Sequence, residues 1–363
     1  MRLMWLLLSV AMVPPVLGTE PEMRLKHSGT LEGACPNAGS PIVFSPDGQL
    51  LAFVGSRKDD PGHSVMVWDL AKRKAVLTFD GAEQYLGSPA FSPDGKTLAA
   101  ACNGDLVKLW DMATKKERSS LKGGKGPLAF SPDGKTLASG CTKADGNERG
   151  LKLWDIATRT DKGFLPAENK SGVGLLIYCV AFSADGKCIA TGTGGRAPDG
   201  QHRGGTVKLW DVTARKEKAV LLDGALLTSV AFSPNSKHLA SADQFGNVVL
   251  WDVGSGKRTP TLQTFNPRKV EETANPTYSV AFSPDGKTLA VGTVKGLKLW
   301  HMQDDRKAVA VDGPGASVWS VAFSPDGKTL ATSGSKEGAS RPDFETESTV
   351  RLWQCPPAER ANK

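Results

Sequence analysis

The chain has 363 residues and a mass of 38.4 kDa, and its 45 basic and 38 acidic residues leave a net charge of +7. Hydrophobic residues make up 39% and charged residues 23%, which excludes a disordered chain. The content of 40 Gly and 23 Pro indicates many short strands joined by tight turns. Only five His are present and no acidic cluster stands out, so composition offers little material for a metal site.

The first 18 residues have the features of a secretory signal peptide. A basic start at Met1-Arg2 precedes an apolar run over residues 3–13, a break at Pro14-Pro15 and a small residue at Gly18. The apolar run is too short to cross the roughly 30 Å of bilayer hydrocarbon as a helix. We therefore expect cleavage after Gly18, export to the periplasm or the medium, and no membrane span in the mature chain.

Two motifs alternate seven times along the rest of the chain. The first is F-S-P-D-G-K or a close variant, beginning at Phe44, Phe91, Phe130, Phe182, Phe232, Phe282 and Phe323. The second is a Leu-Trp element with its Trp at Trp68, Trp110, Trp154, Trp210, Trp251, Trp300 and Trp353. Self-similarity at a spacing of this size is typical of repeat architectures.

Each repeat predicts four strands. Large apolar residues alternate with small or polar ones around each Phe and each Trp, which is the period of a strand. Pro-Asp-Gly between two such runs predicts a tight turn. We call the strand before this turn a, the strand after it b, the Leu-Trp strand c and the last strand d.

The pattern resembles the WD40 repeat over nearly all of the mature chain. Trp-Asp itself occurs in the first five copies, whereas the sixth reads Trp300-His301 and the seventh Trp353-Gln354. The resemblance implies an all-β, seven-bladed β-propeller of four-stranded antiparallel blades. The Gly-His pair usual before strand a is absent, so we expect stability to depend more on apolar contacts between blades.

Closure of the ring can also be predicted. The seventh copy supplies strands a, b and c and then ends at residues 354–356, whereas residues 24–33 precede the first strand a. We expect this N-terminal segment to be strand d of the last blade, which removes an open sheet edge. The predicted organisation is a signal peptide at 1–18, one propeller at 19–355 and a tail at 356–363.

Length variation is confined to one face of the predicted disc. The a–b and c–d turns share one face, here the turn face, and keep constant lengths, whereas the b–c and d–a connections share the other, here the loop face. Insertions fall near 57–64, 142–149, 194–205 and 335–348, and long d–a loops near 166–176 and 264–276. Insertions gathered on one face indicate a binding face, although loops also tolerate insertion at small cost.

Aromatic residues add candidates for partner contact on the loop face. Tyr178, Tyr278 and Trp319 each lie four residues before the strand-a Phe of their repeat, and Tyr85 lies six before. Tyr, Trp and Arg dominate protein interfaces, so the candidates also include Arg57, Arg196 and Arg268. The alternative is that a residue such as Tyr278 seals the gap between two blades.

Six cysteines in an exported chain raise the question of disulfides. If the turn between them is centred on Asp185, Cys179 and Cys188 point to opposite faces of their hairpin. Cys102 and Cys141 occupy the same position in successive repeats, too far apart to be bridged. We expect most cysteines to be small core residues, with a single bridge left open.

No catalytic motif stands out in the chain. Walker A, H-E-x-x-H and G-x-S-x-G sequences are absent, and Gly192-Thr193-Gly194-Gly195 predicts a flexible loop rather than a phosphate site. We therefore expect a monomeric, non-enzymatic scaffold that binds another protein, with no cofactor and no nucleic acid.

Two alternatives to the scaffold remain open. The first is a periplasmic propeller that binds a small ligand, or acts as a hydrolase or lyase, at the channel mouth, where Asp59, Asp60, Asp145, Asp199 and Asp343 could converge. The second is a structural module of an envelope assembly docked through the turn face, whose c–d turns carry an excess of five positive charges.

Overall fold

The computed structural model describes residues 25–37, 40–57, 60–80, 88–102, 104–142, 149–168, 175–196, 202–223, 226–259, 262–263, 276–302, 308–310, 316–335 and 348–356. All regular secondary structure in these ranges is β-strand, arranged as seven antiparallel sheets. The predicted signal peptide and the tail after Pro356 lie outside the described residues. Within the described ranges, no helix has the length and apolar character needed to cross a membrane.

The strands follow the repeats in chain order. The N-terminal strand is β1 (Lys26–Leu31). Blade 1 contains β2 (Cys35–Pro36), β3 (Val43–Phe44), β4 (Leu50–Arg57), β5 (Asp60–Asp69) and β6 (Lys74–Asp80). Blade 2 contains β7 (Ala90–Phe91), β8 (Thr97–Cys102), β9 (Leu106–Asp111) and β10 (Lys116–Lys122). Blade 3 contains β11 (Leu128–Phe130), β12 (Thr136–Thr142), β13 (Arg149–Asp155) and β14 (Thr160–Pro166).

The second half of the ring repeats this order. Blade 4 contains β15 (Leu176–Phe182), β16 (Cys188–Arg196), β17 (His202–Arg203), β18 (Thr206–Asp211) and β19 (Lys216–Asp223). Blade 5 contains β20 (Leu227–Phe232), β21 (His238–Asp243), β22 (Asn247–Asp252) and β23 (Leu262–Gln263). Blade 6 contains β24 (Thr277–Phe282), β25 (Thr288–Thr293), β26 (Gly296–His301) and β27 (Ala308–Ala310). Blade 7 contains β28 (Val318–Phe323), β29 (Thr329–Ser335) and β30 (Ser348–Gln354).

Each a–b turn is held by hydrogen bonds that its own sequence supplies. In blade 2, Ser92 Oγ donates to Asp94 Oδ1 at 2.6 Å, and the amide of Lys96 donates to the same oxygen at 3.0 Å. The amide of Thr97 donates a hydrogen bond to Ser92 Oγ at 2.9 Å. Gly95 has a φ of 70°, a backbone conformation that favours glycine. The same pattern fixes the turn in every blade, with Asn235 replacing the aspartate in blade 5.

The a strands form the centre of the ring. At three junctions neighbouring a strands are joined directly, because the amides of Val280, Val321 and Ile42 each donate to a serine Oγ on strand a of the preceding blade, at 3.1–3.2 Å. The cores lie between blades rather than within them. Leu209 of blade 4, for example, packs in one buried cluster with Leu239 and Trp251 of blade 5. The burial of apolar side chains in each blade therefore depends on its neighbour.

The N-terminal strand completes the last blade, as predicted. β1 pairs antiparallel with β30, with Lys26 opposite Gln354 and Leu31 opposite Val350. Leu31 is only 1% exposed and packs in a cluster with Leu51 and Phe53 of blade 1. The first 31 residues thus include the strand that closes the ring, and Leu31 fixes it against the neighbouring blade.

The seven repeat Trp residues are buried between blades. The indole Nε1 donates a hydrogen bond in some blades and has no partner in others. In blades 4, 5 and 7, Nε1 donates to a hydroxyl on strand b, namely Trp210 to Thr191 at 2.9 Å, Trp251 to Ser241 at 2.8 Å and Trp353 to Thr332 at 3.0 Å. Trp68 and Trp300 lack a partner for Nε1. At the corresponding strand-b positions stand Phe53 and Val291, which have no hydroxyl.

The cysteine geometry differs from the expectation. Cys179 pairs with Gly192 and Phe182 with Ile189, one residue away from the expected register. Cys179 and Cys188 therefore lie on the same side of the hairpin, in the cluster shared with blade 5, and not on opposite sides. All six cysteines are nonetheless thiols and none is in a disulfide.

The run from Gly192 to Gly195 is also different from its prediction, because it is part of β16 rather than a flexible loop. Gly192 and Gly194 leave room for neighbouring side chains. A Cβ on Gly192 would lie 2.4 Å from Cys179 Sγ, so this glycine is required by close packing.

Candidate functional site

The loop face near the central channel contains the described part of the predicted binding site. Two insertions on this face have strand structure where they are described. Residues 57 and 60 extend the β4–β5 hairpin of blade 1. In blade 4, β17 pairs with the end of β16, with Arg196 opposite His202. Two of the predicted insertions are therefore partly rigid extensions of the blades.

Strand a carries a β-bulge in four successive blades, at the position that the sequence singled out. The pairing skips one residue between 177 and 179, 227 and 229, 277 and 279, and 318 and 320. The extra residues are Tyr178, Thr228, Tyr278 and Trp319. A bulge leaves its extra residue unpaired and redirects its side chain, so these four positions share one geometry.

The four bulge residues differ in exposure. Tyr178 is 37% exposed, whereas Trp319 is only 4% exposed. Tyr278 is half-buried, and this burial raises the pKa of its phenol. Thr228 is turned toward the next blade, where its Oγ1 donates to the carbonyl of Thr277 at 2.6 Å. Tyr178 is thus the predicted aromatic candidate that the described surface presents most openly.

Two residues that sequence reasoning missed extend the surface around Tyr178. A Cβ on Gly194 would lie 2.7 Å from Leu226 Cγ and 3.2 Å from Tyr178 Cε2, so both side chains cover this glycine. The amide of Gln244 donates to the carbonyl of Leu226 at 3.1 Å, which brings the b–c turn of blade 5 beside it. Phe245 in this turn is 45% exposed. We call Tyr178, Leu226 and Phe245 the aromatic patch.

The turn that presents Phe245 is rigid for local reasons. Asp243 Oδ1 accepts hydrogen bonds from the amides of Phe245 at 2.9 Å and Asn247 at 3.0 Å. Asn247 Nδ2 donates to Asp243 Oδ2 at 3.0 Å, and Gly246 takes a φ of 91°. The sequence Asp-x-Phe-Gly-Asn predicts an exposed aromatic side chain, because residues of a tight turn between two strands do not pack into the core.

The remaining candidates are located only in part. The backbones of Arg57, Arg196 and Asp60 lie in loop-face strands, but their side chains are outside the described part. Tyr85, Arg268, Asp59, Asp145, Asp199 and Asp343 lie outside the described residues altogether. The proposed roles of these residues in partner or ligand binding stay predictions.

No group of three or more His, Cys, Asp or Glu that could hold a metal occurs among the described residues. Burial raises the pKa of the Cys179 thiol to about 12, so this thiol is not an activated nucleophile at neutral pH. The aromatic patch offers apolar contact area held in place by bulge and turn geometry.

Comparison with known sequences agrees with the repeats. A family model described as "WD domain, G-beta repeat" matches residues 73–111, 128–155, 168–211, 221–252 and 307–354, which together exceed half of the chain. Protein tipD of Dictyostelium discoideum is 25% identical over 263 residues, which are 71% of this chain and 39% of tipD.

Two further relatives align with about half of the chain. Target of rapamycin complex subunit wat1 of Schizosaccharomyces pombe is 28% identical over 166 residues, 46% of each protein. Small ribosomal subunit protein RACK1y of Oryza sativa subsp. japonica is 28% identical over 174 residues, 47% of each protein. The chain spans less than half the length of each of these three relatives.

Proposed function

The chain belongs to the WD40 repeat family, and we propose that it is a non-enzymatic scaffold that binds a partner protein through the loop face. The aromatic patch carries this proposal. Tyr178 and Phe245 are 37% and 45% exposed on the loop face of blades 4 and 5, although large aromatic side chains are usually more buried. Exposed aromatic anchors that are already ordered bind at a low cost in conformational entropy.

The relatives support the proposal at the level of the family. The names of wat1 and RACK1y describe components of larger assemblies, a complex and a ribosomal subunit. A rigid ring with one face of variable loops suits such a role, because each loop can change without disturbing the blades. These names do not identify the partner of this chain.

We further propose that the protein acts outside the cytoplasm. Residues 1–18 support this, with their basic start, apolar run and small residue at Gly18. Expression of the full chain in a bacterial host followed by N-terminal sequencing tests it. A mature chain beginning at Thr19 in the exported fraction is expected, and an uncleaved chain that stays in the cytoplasm would contradict export.

Partner binding is tested by affinity capture followed by titration. The bait is the chain from Thr19 onward, which contains every residue that the structure describes. Proteins recovered from the exported fraction of the host are purified and titrated against wild type and a Tyr178→Ala, Phe245→Ala double variant. Loss of two interface anchors should weaken the Kd roughly 10- to 100-fold or more.

A control variant distinguishes binding through the aromatic patch from binding through any exposed apolar side chain. Val220 is 36% exposed and lies in β19, away from the loop face, so Val220→Ala truncates an exposed apolar side chain elsewhere on the surface. The control is expected to bind as tightly as wild type. A folded double variant that keeps the wild-type Kd would overturn the role of the aromatic patch.

A further inference from the structure

The c–d turns of the turn face hold basic residues in a backbone conformation that favours glycine. The fifth residue past the repeat Trp has a positive φ in five blades, and in blade 5 it is Gly256 with a φ of 67°. In blades 1 to 4 it is basic, namely Arg73 at 50°, Lys115 at 60°, Arg159 at 61° and Arg215 at 52°. A residue with a Cβ is less stable in this region than glycine, because its Cβ lies too close to the following carbonyl oxygen. Four basic side chains therefore occur at positions whose backbone conformation favours glycine.

A second ring of lysines lies closer to the channel on the same face. The residue after the a–b turn glycine, or after Ser236 in blade 5, is Lys in six blades: Lys96, Lys135, Lys187, Lys237, Lys287 and Lys328. All are exposed except Lys287, which is half-buried. Because the a–b turns have one length and one hydrogen-bond pattern, these lysines stand at equivalent heights around the ring. Further exposed basic residues flank the c–d turns, at Lys72, Lys74, Lys116, Lys216, Lys257 and Arg258.

The acidic residues of the turn face accept hydrogen bonds within their own turns. Each Trp-Asp carboxylate accepts amide bonds of its own c–d turn, as Asp111 does from Thr114 at 2.8 Å. The Asp residues of the a–b turns do the same, and their hydrogen bonds lower their pKa values. The carboxylates concerned are Asp47, Asp94, Asp133, Asp185, Asp285 and Asp326 in the a–b turns, and Asp69, Asp111, Asp155, Asp211 and Asp252 in the c–d turns. The sixteen basic residues named here exceed these eleven carboxylates by five, and Glu117, Asp161 and Glu217, at the strand-d position equivalent to Arg258, add three exposed carboxylates. The long side chains of Lys and Arg can extend beyond the short carboxylates of the turns.

We propose that the turn face docks on the surface of a bilayer that contains anionic lipids. The positive charges are spread around a flat disc of equal-length turns rather than collected in a groove, so a planar anionic surface can meet all of them at once. A peptide or a nucleic-acid strand would contact only part of the ring. Each Lys or Arg held near such a surface contributes about 1 kcal/mol. The loop face then points away from the membrane and stays open to a partner.

Cosedimentation with lipid vesicles tests this docking. The chain from Thr19 onward is mixed with vesicles of phosphatidylcholine alone or of phosphatidylcholine with phosphatidylglycerol. We expect binding to the anionic vesicles only, and weaker binding as ionic strength rises, because salt screens exposed charges. Equal binding to both vesicle types, or no binding to the anionic vesicles, would overturn the proposal.

A triple variant removes charge without loss of the fold. Lys115→Gly, Arg159→Gly and Arg215→Gly place glycine at positive φ, so its Tm should equal or exceed that of wild type. Its vesicle affinity should fall roughly 100-fold, the change that three contributions of about 1 kcal/mol produce. Arg73 is left in place because its Nη2 donates to the carbonyl of Ser28 at 2.8 Å in the closing strand.

The control variant has the same net charge but changes the opposite face. Lys122→Gln, Lys125→Gln and Lys295→Gln remove three exposed charges from the loop face, and we expect vesicle binding close to wild type. An equal loss in both variants would show that net charge alone acts and would contradict docking by the turn face. Binding to double-stranded DNA or to an acidic protein without binding to vesicles would also overturn the proposal. The Tyr178→Ala, Phe245→Ala variant should bind vesicles like wild type, so this test is independent of the proposed scaffold.

Discussion

The backbone amide of Asp185 in blade 4 donates a hydrogen bond to Ser236 Oγ in blade 5 at 3.1 Å. In the other blade pairs, a turn glycine faces the turn proline of the preceding blade instead. The Cβ position of Gly286, for example, lies 3.4 Å from Pro234 Cδ. Blade 4 has Ala184 in place of that proline, and Ser236 replaces the glycine at a φ of 59°. The two departures from the repeat therefore occur at one contact.

A double-mutant cycle tests this relationship. Ser236→Gly relieves a positive φ but removes a hydrogen bond of about 1 kcal/mol, so by itself it should change stability little. Ala184→Pro should stabilise more in the Ser236→Gly background than in wild type, where the hydroxyl occupies the space beside the ring. Urea denaturation of the four proteins should give a coupling of about 0.5–1 kcal/mol, and strictly additive changes would contradict the linkage.

The unpaired indole nitrogen of Trp300 predicts a stabilising substitution. Val291→Thr places a hydroxyl where Thr191 accepts from Trp210 in blade 4. The new hydrogen bond should raise the free energy of unfolding by about 1 kcal/mol, because a buried donor is at present unsatisfied. Equilibrium urea denaturation measures the change.

The reverse substitution is the control for this prediction. Thr191→Val removes the hydroxyl and leaves Trp210 Nε1 buried without its partner. It should destabilise by about 1–3 kcal/mol. Equal effects of the same sign from the two substitutions would contradict the proposed role of the hydroxyl.

Acidification should destabilise the turns through their aspartates. Hydrogen bonds from Ser131 and Lys135 lower the pKa of Asp133 below its ordinary value of 3.8 in the folded chain. A carboxyl with a lowered folded pKa stabilises the protein above its unfolded pKa, and this stabilisation is lost as pH falls through the folded value. Stability should therefore decline below about pH 4.

Asp133→Asn tests the contribution of one turn. Asn235 shows that an amide oxygen can accept the same two bonds, from Ser233 Oγ at 2.7 Å and the amide of Lys237 at 3.0 Å. The variant should keep most of its stability at pH 7 and lose less than wild type between pH 5 and pH 3. Denaturation curves at several pH values measure this, and identical pH dependence would exclude Asp133 as a contributor.

Closure of the ring should depend strongly on Leu31. Leu31→Ala removes a side chain that is 1% exposed at the seam of blades 7 and 1 and should destabilise by about 2–5 kcal/mol. Lys26→Ala at the exposed start of the same strand is the control and should change stability by less than about 0.5 kcal/mol. If Leu31→Ala unfolds at the same urea concentration as the control, β1 is not needed for closure.

Much of the architecture was predictable because its causes are local. Pro-Asp-Gly turns form their hydrogen bonds within five residues, and the alternation around each Phe and Trp marks strands without reference to other blades. The missing strand d of the last repeat also predicted the pairing of β1 with β30. Each of these inferences depends on spacing along the chain.

The repeats, the turns, the number of blades and the strand that closes the ring all follow from the amino-acid sequence alone, since each depends on residues close together in the chain or on a count. Which side chains face which surface depends instead on how the blades pack. A one-residue difference in register moved Cys179 to the side of Cys188, because neighbouring residues of a strand point to opposite faces. Equivalent bulge positions left Tyr178 exposed and Trp319 buried, because exposure is set by the packing of the adjacent blade and not by the repeat position. Tyr178 and Leu226 both cover Gly194 only once blades 4 and 5 have packed together.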